Sequence, residues 1–133
     1  MHRAEAAIPA CYYRAAETVA ARDTTNQERV AGLFAKVATR WPNFPNAHLA
    51  QYRAGLAYEK AGNPRQAVAM MQALIDRFPK SEYVKDAHLK VATIWENAKE
   101  PAKAAEGYTA FANRYPDDES AGGEESATES EAQ

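Results

Sequence analysis

The chain has little of what most catalytic, membrane-spanning or disulfide-stapled proteins depend on. Its single cysteine, Cys11, cannot form an intramolecular disulfide, so cysteine usage says nothing about the redox compartment. No basic partner of the kind a catalytic thiol needs stands near it, and it reads as a small apolar residue on a helix face. No apolar run approaches the roughly 20 residues that span a bilayer, so membrane insertion is not expected. Ile8-Pro9-Ala10-Cys11 loosely resembles the end of a lipoprotein signal. Arg3 and Glu5 lie where its hydrophobic segment would have to be, and no signal peptide is expected in this chain. The three histidines, His2, His48 and His88, show no metal-ligand spacing, and the only paired glycines, Gly122-Gly123, lie in an acidic stretch. No cofactor, metal site or catalytic constellation is expected, and the chain is not read as an enzyme. Alternation at period two is absent, so no segment reads as a strand.

At 133 residues the chain is one domain by length. Hydrophobic residues make up 46%, much of it alanine, which suits closely packed helices better than a sheet sandwich. Charge is balanced overall but not along the chain. From Asp117 onward there are seven acids and no base, leaving 16 bases against 11 acids in residues 1–116. A body this mildly basic, attached to an acidic tail that competes for the same cations, does not point to nucleic acid.

Three aromatic–proline pairs, Trp41-Pro42, Phe78-Pro79 and Tyr115-Pro116, recur every 37 residues. That period signals stacked repeats. The central unit, 46–79, reads as two helices joined by a tight turn. Gly55 permits close approach and Tyr58 fills the space beside it, while Ala67, Met71, Leu74 and Phe78 form an apolar stripe at helical spacing. Gly62 suits the left-handed end of the first helix, Asn63 caps the second, and Pro64 takes its first turn. Around this unit, residues 1–8 read as a lead-in and Pro9 as the first turn of a helix running to about Arg22. Thr25 and Glu28 read as a capping box for the next helix, to about Arg40. Ser81 is expected to cap a fifth helix and Pro101 to open a sixth. Along the fifth, Glu82 with Lys85 and Asp86 with Lys90 have helical ion-pair spacing. Residues 9–116 thus divide into about 9–42, 46–79 and 82–116, and residues 117–133 read as a disordered acidic tail with nothing to bury.

Gly55, Tyr58, Ala67, Met71, Leu74 and Pro79 have the mutual spacings of the tetratricopeptide repeat signature, and the chain resembles that family. The third copy matches through Ala92, Trp95, Ala104, Tyr108, Phe111 and Pro116. The first matches more loosely through Thr18, Ala21, Val30, Phe34, Val37 and Pro42. Gln51 stands where the family's tryptophan would be, and the period exceeds the family's roughly 34 residues. The longer joint, in PKSEYVKDA, resembles bacterial envelope repeat proteins such as the Tol–Pal coordinator's C-terminal domain and the repeat lipoprotein of outer-membrane β-barrel assembly. The resemblance implies an all-α, right-handed α-solenoid of three helix-turn-helix repeats, with a periplasmic or envelope setting.

It also implies a non-catalytic scaffold that takes a protein or peptide partner in the concave groove lined by the first helix of each pair. Projected onto this chain, the groove carries Tyr12, Ala15 and Val19, then Leu49, Tyr52, Arg53 and Leu56, then Asp86, Lys90, Thr93 and Asn97. In the alternative, Leu49 and Leu56 are buried between pairs and the groove is mostly Tyr52, Arg53 and Lys90. Trp95 falls in the repeat's large-aromatic slot and reads as core. The carboxylate clamp of the family's chaperone adaptors does not carry over, because its positions hold Ala15, Val19, Asp86 and Lys90. The polar helix that usually closes such an array is missing, so the outer side of the last helix, around Tyr108 and Phe111, is expected to be partly exposed. The rival reading follows: an end segment of a longer array, or one that self-associates through the terminal helix.

Overall fold

The computed structural model describes residues 2–118, with side chains from Ile8 onward. Among these residues there are six helices and no strand: α1 (His2–Arg22), α2 (Gln27–Arg40), α3 (Ala47–Lys60), α4 (Pro64–Arg77), α5 (Val84–Asn97) and α6 (Pro101–Arg114). Each helix packs chiefly on the one before and the one after it in the chain. The result is an α-solenoid of helix-turn-helix repeats, in which a hairpin that cannot bury its own apolar face is covered by its neighbour. The acidic stretch read as disordered lies, from residue 119, outside the described residues.

Alanine sets the helix spacing. Eleven of the twenty buried apolar residues are alanines, including Ala50, Ala54 and Ala57 on α3, so the helices approach closely and few large side chains fill the gaps. One core lies among α1, α2 and α3, around Tyr13, Val30, Phe34 and Val37. A second joins α4 to α5 around Met71, Leu74 and Ile94. Gly55 faces α4 so closely that a Cβ would stand 2.6 Å from Met71 Cε.

The expected turn of the central hairpin is present. Gly62 has φ +80, the Asn63 side chain accepts from Gln66 N–H, and Pro64 opens α4. Pro101 opens α6 in the same way. Elsewhere the ends differ from expectation. Helix α1 starts at His2, so Pro9 lies inside it, fully buried, and 1–8 is not a separate lead-in. The cap of α2 is Asn26, whose side chain accepts from Arg29 N–H, and the Thr25–Glu28 box does not form. Thr25 is taken by the preceding turn, since its N–H and hydroxyl both donate to Asp23 Oδ1. Ser81 does not cap α5, which begins after Tyr83. Its hydroxyl instead accepts from Tyr83 N–H and meets His48 Nδ1 at 2.8 Å.

The aromatic–proline joints repeat in detail. Trp41, Phe78 and Tyr115 share one backbone conformation, and each N–H donates to the carbonyl four residues back. Each carbonyl then accepts from the residue three further on: Phe44, Ser81 and Asp118. A polar contact fixes two of the joints at one register, His48 with Ser81 and Lys85 with Asp118. Lys85 is therefore not engaged by Glu82, nor Lys90 by Asp86. The outer end of the array departs from expectation at Phe111 but not at Tyr108, which is partly exposed. Phe111 is 1% exposed, covered partly by Tyr115 at 4.8 Å, and Tyr108 is half-buried with its hydroxyl donating to Glu96. The outward side of α6 carries small or polar residues such as Ala102, Ala105, Thr109 and Ala112, which need no covering helix.

Candidate functional site

Side-chain ion pairs link α1 to α3 and α3 to α5, the first helices of the three pairs, on which the groove was expected. Between α1 and α3, above α2, a cleft of ≈ 440 Å³ has Val30, Phe34, Leu56 and Ala57 in its floor and Glu17, Gln27, Arg53 and Lys60 at its rim. Arg53 and Leu56, both expected in the groove, are brought together here. Helical geometry explains this, since three residues is close to one turn and places both on one face of α3.

The cations of the groove are already engaged. Arg53 Nη1 donates to Glu17 Oε2 at 3.1 Å, and its guanidinium lies 5.6 Å from the Tyr13 ring and 5.5 Å from that of Phe34. Lys90 Nζ donates to Glu59 Oε1 at 2.9 Å. Each cation thus reaches back to an acid on the first helix of the preceding repeat. Arg53 and Lys90 share a repeat position but are tied to different helices. Thr93 donates to the Lys90 carbonyl, and Asn97, the last residue of α5, is exposed.

The aromatic residues are more deeply committed than expected. Tyr52 stacks on Tyr83 at 5.0 Å and 15°, and Tyr83 in turn lies 5.5 Å from His48. Burial raises the Tyr52 phenol above its ordinary pKa, with Asp86 and Glu59 adding to the shift. Tyr13 is raised in the same way, with Arg53 opposing. Tyr12 is not a groove residue. Its ring stacks on Trp41 at 5.3 Å and carries Lys36 Nζ at 4.3 Å, so it belongs to the α1–α2 contact. Leu49 and Val19 are half-buried against the first core, and Leu56 is half-buried against the second while also lining the cleft.

Trp95 is not a core residue. It is half-buried in the wall of a second cleft, of ≈ 370 Å³, formed by α4, α5 and α6, with Lys103 Nζ 4.4 Å from its ring. Among the described residues no three of His, Cys, Asp and Glu converge as a metal site would require, and no helix is long and apolar enough to cross a membrane.

Two features went unread in the sequence. The counter-ions Glu17 and Glu59 lie 36 and 31 residues from their cations, spacings that mean nothing until the repeats are stacked. An arginine also precedes every aromatic–proline pair: Arg40, Arg77 and Arg114. Each is the exposed last residue of a second helix, where a cation favours the carbonyl end of the helix, and the 37-residue alignment alone reveals the set.

The family model of the tetratricopeptide repeat matches residues 49–81 and 86–118, the second and third pairs. Comparison with curated proteins and with solved structures gives no match.

Proposed function

Because the chain carries tetratricopeptide repeats, which generally mediate protein–protein interactions, we propose that it is a non-catalytic scaffold holding a segment of a protein partner against α1, α3 and α5. The cleft between α1 and α3 carries this reading. It offers an apolar floor of Val30, Phe34 and Leu56 beside Arg53 and Lys60. Such a floor suits an apolar side chain of the partner, and the cations suit an acidic group next to it. Glu17 and Glu59 hold Arg53 and Lys90 in the free chain, so an acidic partner has to displace them. Exchange of one ion pair for another lets charge govern association more than final affinity.

An envelope setting belongs to the same proposal and rests on the 37-residue period and the PKSEYVKDA joint alone. Fractionation of the native cells tests it independently of binding. The rival, self-association through the terminal helix, has less to stand on now that Phe111 is buried.

The experiment is site-specific photocrosslinking in native cells, followed by titration of the captured partner. Glu17→Gln with Glu59→Gln is expected to free both cations, speeding association at low salt and steepening the salt dependence. Arg53→Gln with Lys90→Gln is expected to slow it. Unchanged rates in both would remove the groove charges from the account.

A further inference from the structure

The aromatic–proline joints stand at one end of the helices and the hairpin turns at the other, a helix length of about 21 Å apart. The joint end gathers cations. Arg40, Arg77 and Arg114 close the second helices, and Lys80 and Lys85 follow the second joint on either side of Glu82. At that joint Arg77 and Lys80 line a cleft of ≈ 490 Å³ together with Phe78 and Pro79. Neither cation has an ion-pair partner among the described residues, although Asp76 and Glu82 are their neighbours in the chain.

The third joint repeats this place with the opposite sign. Alignment by 37 residues puts Asp117 at the position of Lys80, Asp118 at that of Ser81 and Lys85 at that of His48. Where His48 meets Ser81 at the second joint, Lys85 pairs with Asp118, whose side chain is 12% exposed. The chain beyond Asp118 therefore sets out from this edge, anchored on α5. Lys85 follows Glu82, which lines the second joint's cleft, by three residues, at most about 11 Å of backbone. Residues 119–133 carry five glutamates and no base. Extended, they reach up to about 50 Å, well past a neighbouring joint about 20 Å away across two helix contacts. We propose that this edge is a docking surface for the chain's own acidic segment, which turns back from Asp118 and lays Glu124 and Glu125 against Arg77 and Lys80.

The choice of occupant follows from tether and charge. Gly122 and Gly123, just before the glutamate pair, let the backbone reverse without a steric penalty. The tether presents the acids at an effective concentration in the millimolar range, which a free acidic peptide has to exceed. The segment has no aromatic residue and no apolar one larger than alanine to set against Phe78 and Pro79, so the contact is electrostatic and screened by salt. Other cations are less suited. Lys60 and Lys99 stand at the turn end, and Arg53 and Lys90 are already paired with Glu17 and Glu59. This surface stands or falls separately from the groove.

The test attaches a nitroxide to the ¹⁵N-labelled full chain at Ser126→Cys, with the exposed Cys11 replaced, Cys11→Ala. Paramagnetic broadening of the Lys80, Ser81 and Glu82 amides is expected to exceed that at Ala112, on the outward side of α6. It is expected to be lost in about 1 M salt, where charges are screened beyond about 3 Å. Arg77→Glu with Lys80→Glu is expected to abolish it, and adding Glu124→Lys with Glu125→Lys to restore it. Broadening at Ala112 equal to that at Ser81, which a freely moving segment would give, would overturn the proposal. So would broadening that survives salt or the first charge reversal, or broadening centred on Arg53 and Leu56. Nitroxide-bearing chains mixed with ¹⁵N chains that lack the nitroxide are expected to show none. Broadening in that mixture would mean that the acids dock on a second copy, and would also overturn it.

Discussion

The second and third hairpins share length, register and an aromatic–proline end, but they place their small residues on opposite helices. In the second, Gly55 on the first helix makes room for Met71 on the second. In the third, the first helix carries Ala92 at that register and the glycine has moved to the second helix, as Gly107. Their turns differ as well. Gly62 takes φ +80 without strain and Asn63 caps α4, whereas Lys99 takes φ +64 with a side chain and Glu100 caps nothing. Close packing is thus kept in both repeats while local comfort is lost in the third. It also carries the cleft beside Trp95 and His88 Nε2, buried without a hydrogen-bond partner among the described residues. In a solenoid each repeat is held by its own stability and one or two interfaces. The third, with less of the first, is expected to unfold before the second.

The largest effect is expected where the repeats differ in what a Cβ would meet. Gly107→Ala pushes against Ala92 Cβ, Cα and N, which cannot give way without separating the helices. Its cost is about 1–3 kcal/mol in denaturant unfolding. Gly55→Ala meets chiefly the flexible end of Met71, and its gain in helix propensity offsets the contact, so it is expected to stay within about 1 kcal/mol of the parent. Equal losses in the two variants would erase the distinction.

Next is the turn. Giving the third hairpin the residues of the second, Lys99→Gly with Glu100→Asn, relieves a left-handed non-glycine residue and restores a cap. The gain is about 1–3 kcal/mol, measured as a rise in Tm. No gain would mean that the third turn is not the weaker one.

A smaller effect is the pH dependence from His88. Its folded pKa lies below the unfolded value of about 6.5. Between the two values the unfolded chain binds a proton that the folded chain refuses, so stability falls as pH drops through that window and is recovered as pH rises. His88→Gln, which places the second repeat's residue in the third, is expected to flatten that part of the slope between pH 7.5 and 5.5. An unchanged slope would remove His88 from the comparison.

The smallest effect belongs to the groove. Arg53 and Glu17 are each about 40% exposed, and Glu17→Gln is expected to cost less than about 1 kcal/mol and to lose its effect at high salt.

The 37-residue period, the six helices and the central turn were legible because each rests on local chemistry: proline, Gly62, Asn63, and apolar spacing. The start of α1 was misread because Pro9 sits comfortably in a first turn but is also held inside a helix whose start precedes it. Thr25 and Asn26 are both good caps, and Asp23 decided between them by occupying Thr25. Ser81 was already committed to the joint. Of the residues projected onto α3, Arg53 and Leu56 meet at the cleft, whereas Leu49 packs on the first core and Tyr52 on Tyr83. These placements, the direction of Tyr12 and the counter-ions of Arg53 and Lys90 depend on stacking, which no single helix encodes. The exchange of Gly62-Asn63 for Lys99-Glu100 was readable all along, by aligning the repeats on their prolines.

The most direct test of the scaffold reading is photocrosslinking from two faces of the full chain in native cells. Lys60 and Asn97 stand on the exposed strips of α3 and α5, and Ala69 and Thr39 on exposed sides of α4 and α2. A photoreactive residue at Lys60 or Asn97 is expected to capture the same polypeptide, and one at Ala69 or Thr39 is not. Capture from Ala69 and Thr39 with none from Lys60 and Asn97 would contradict the account.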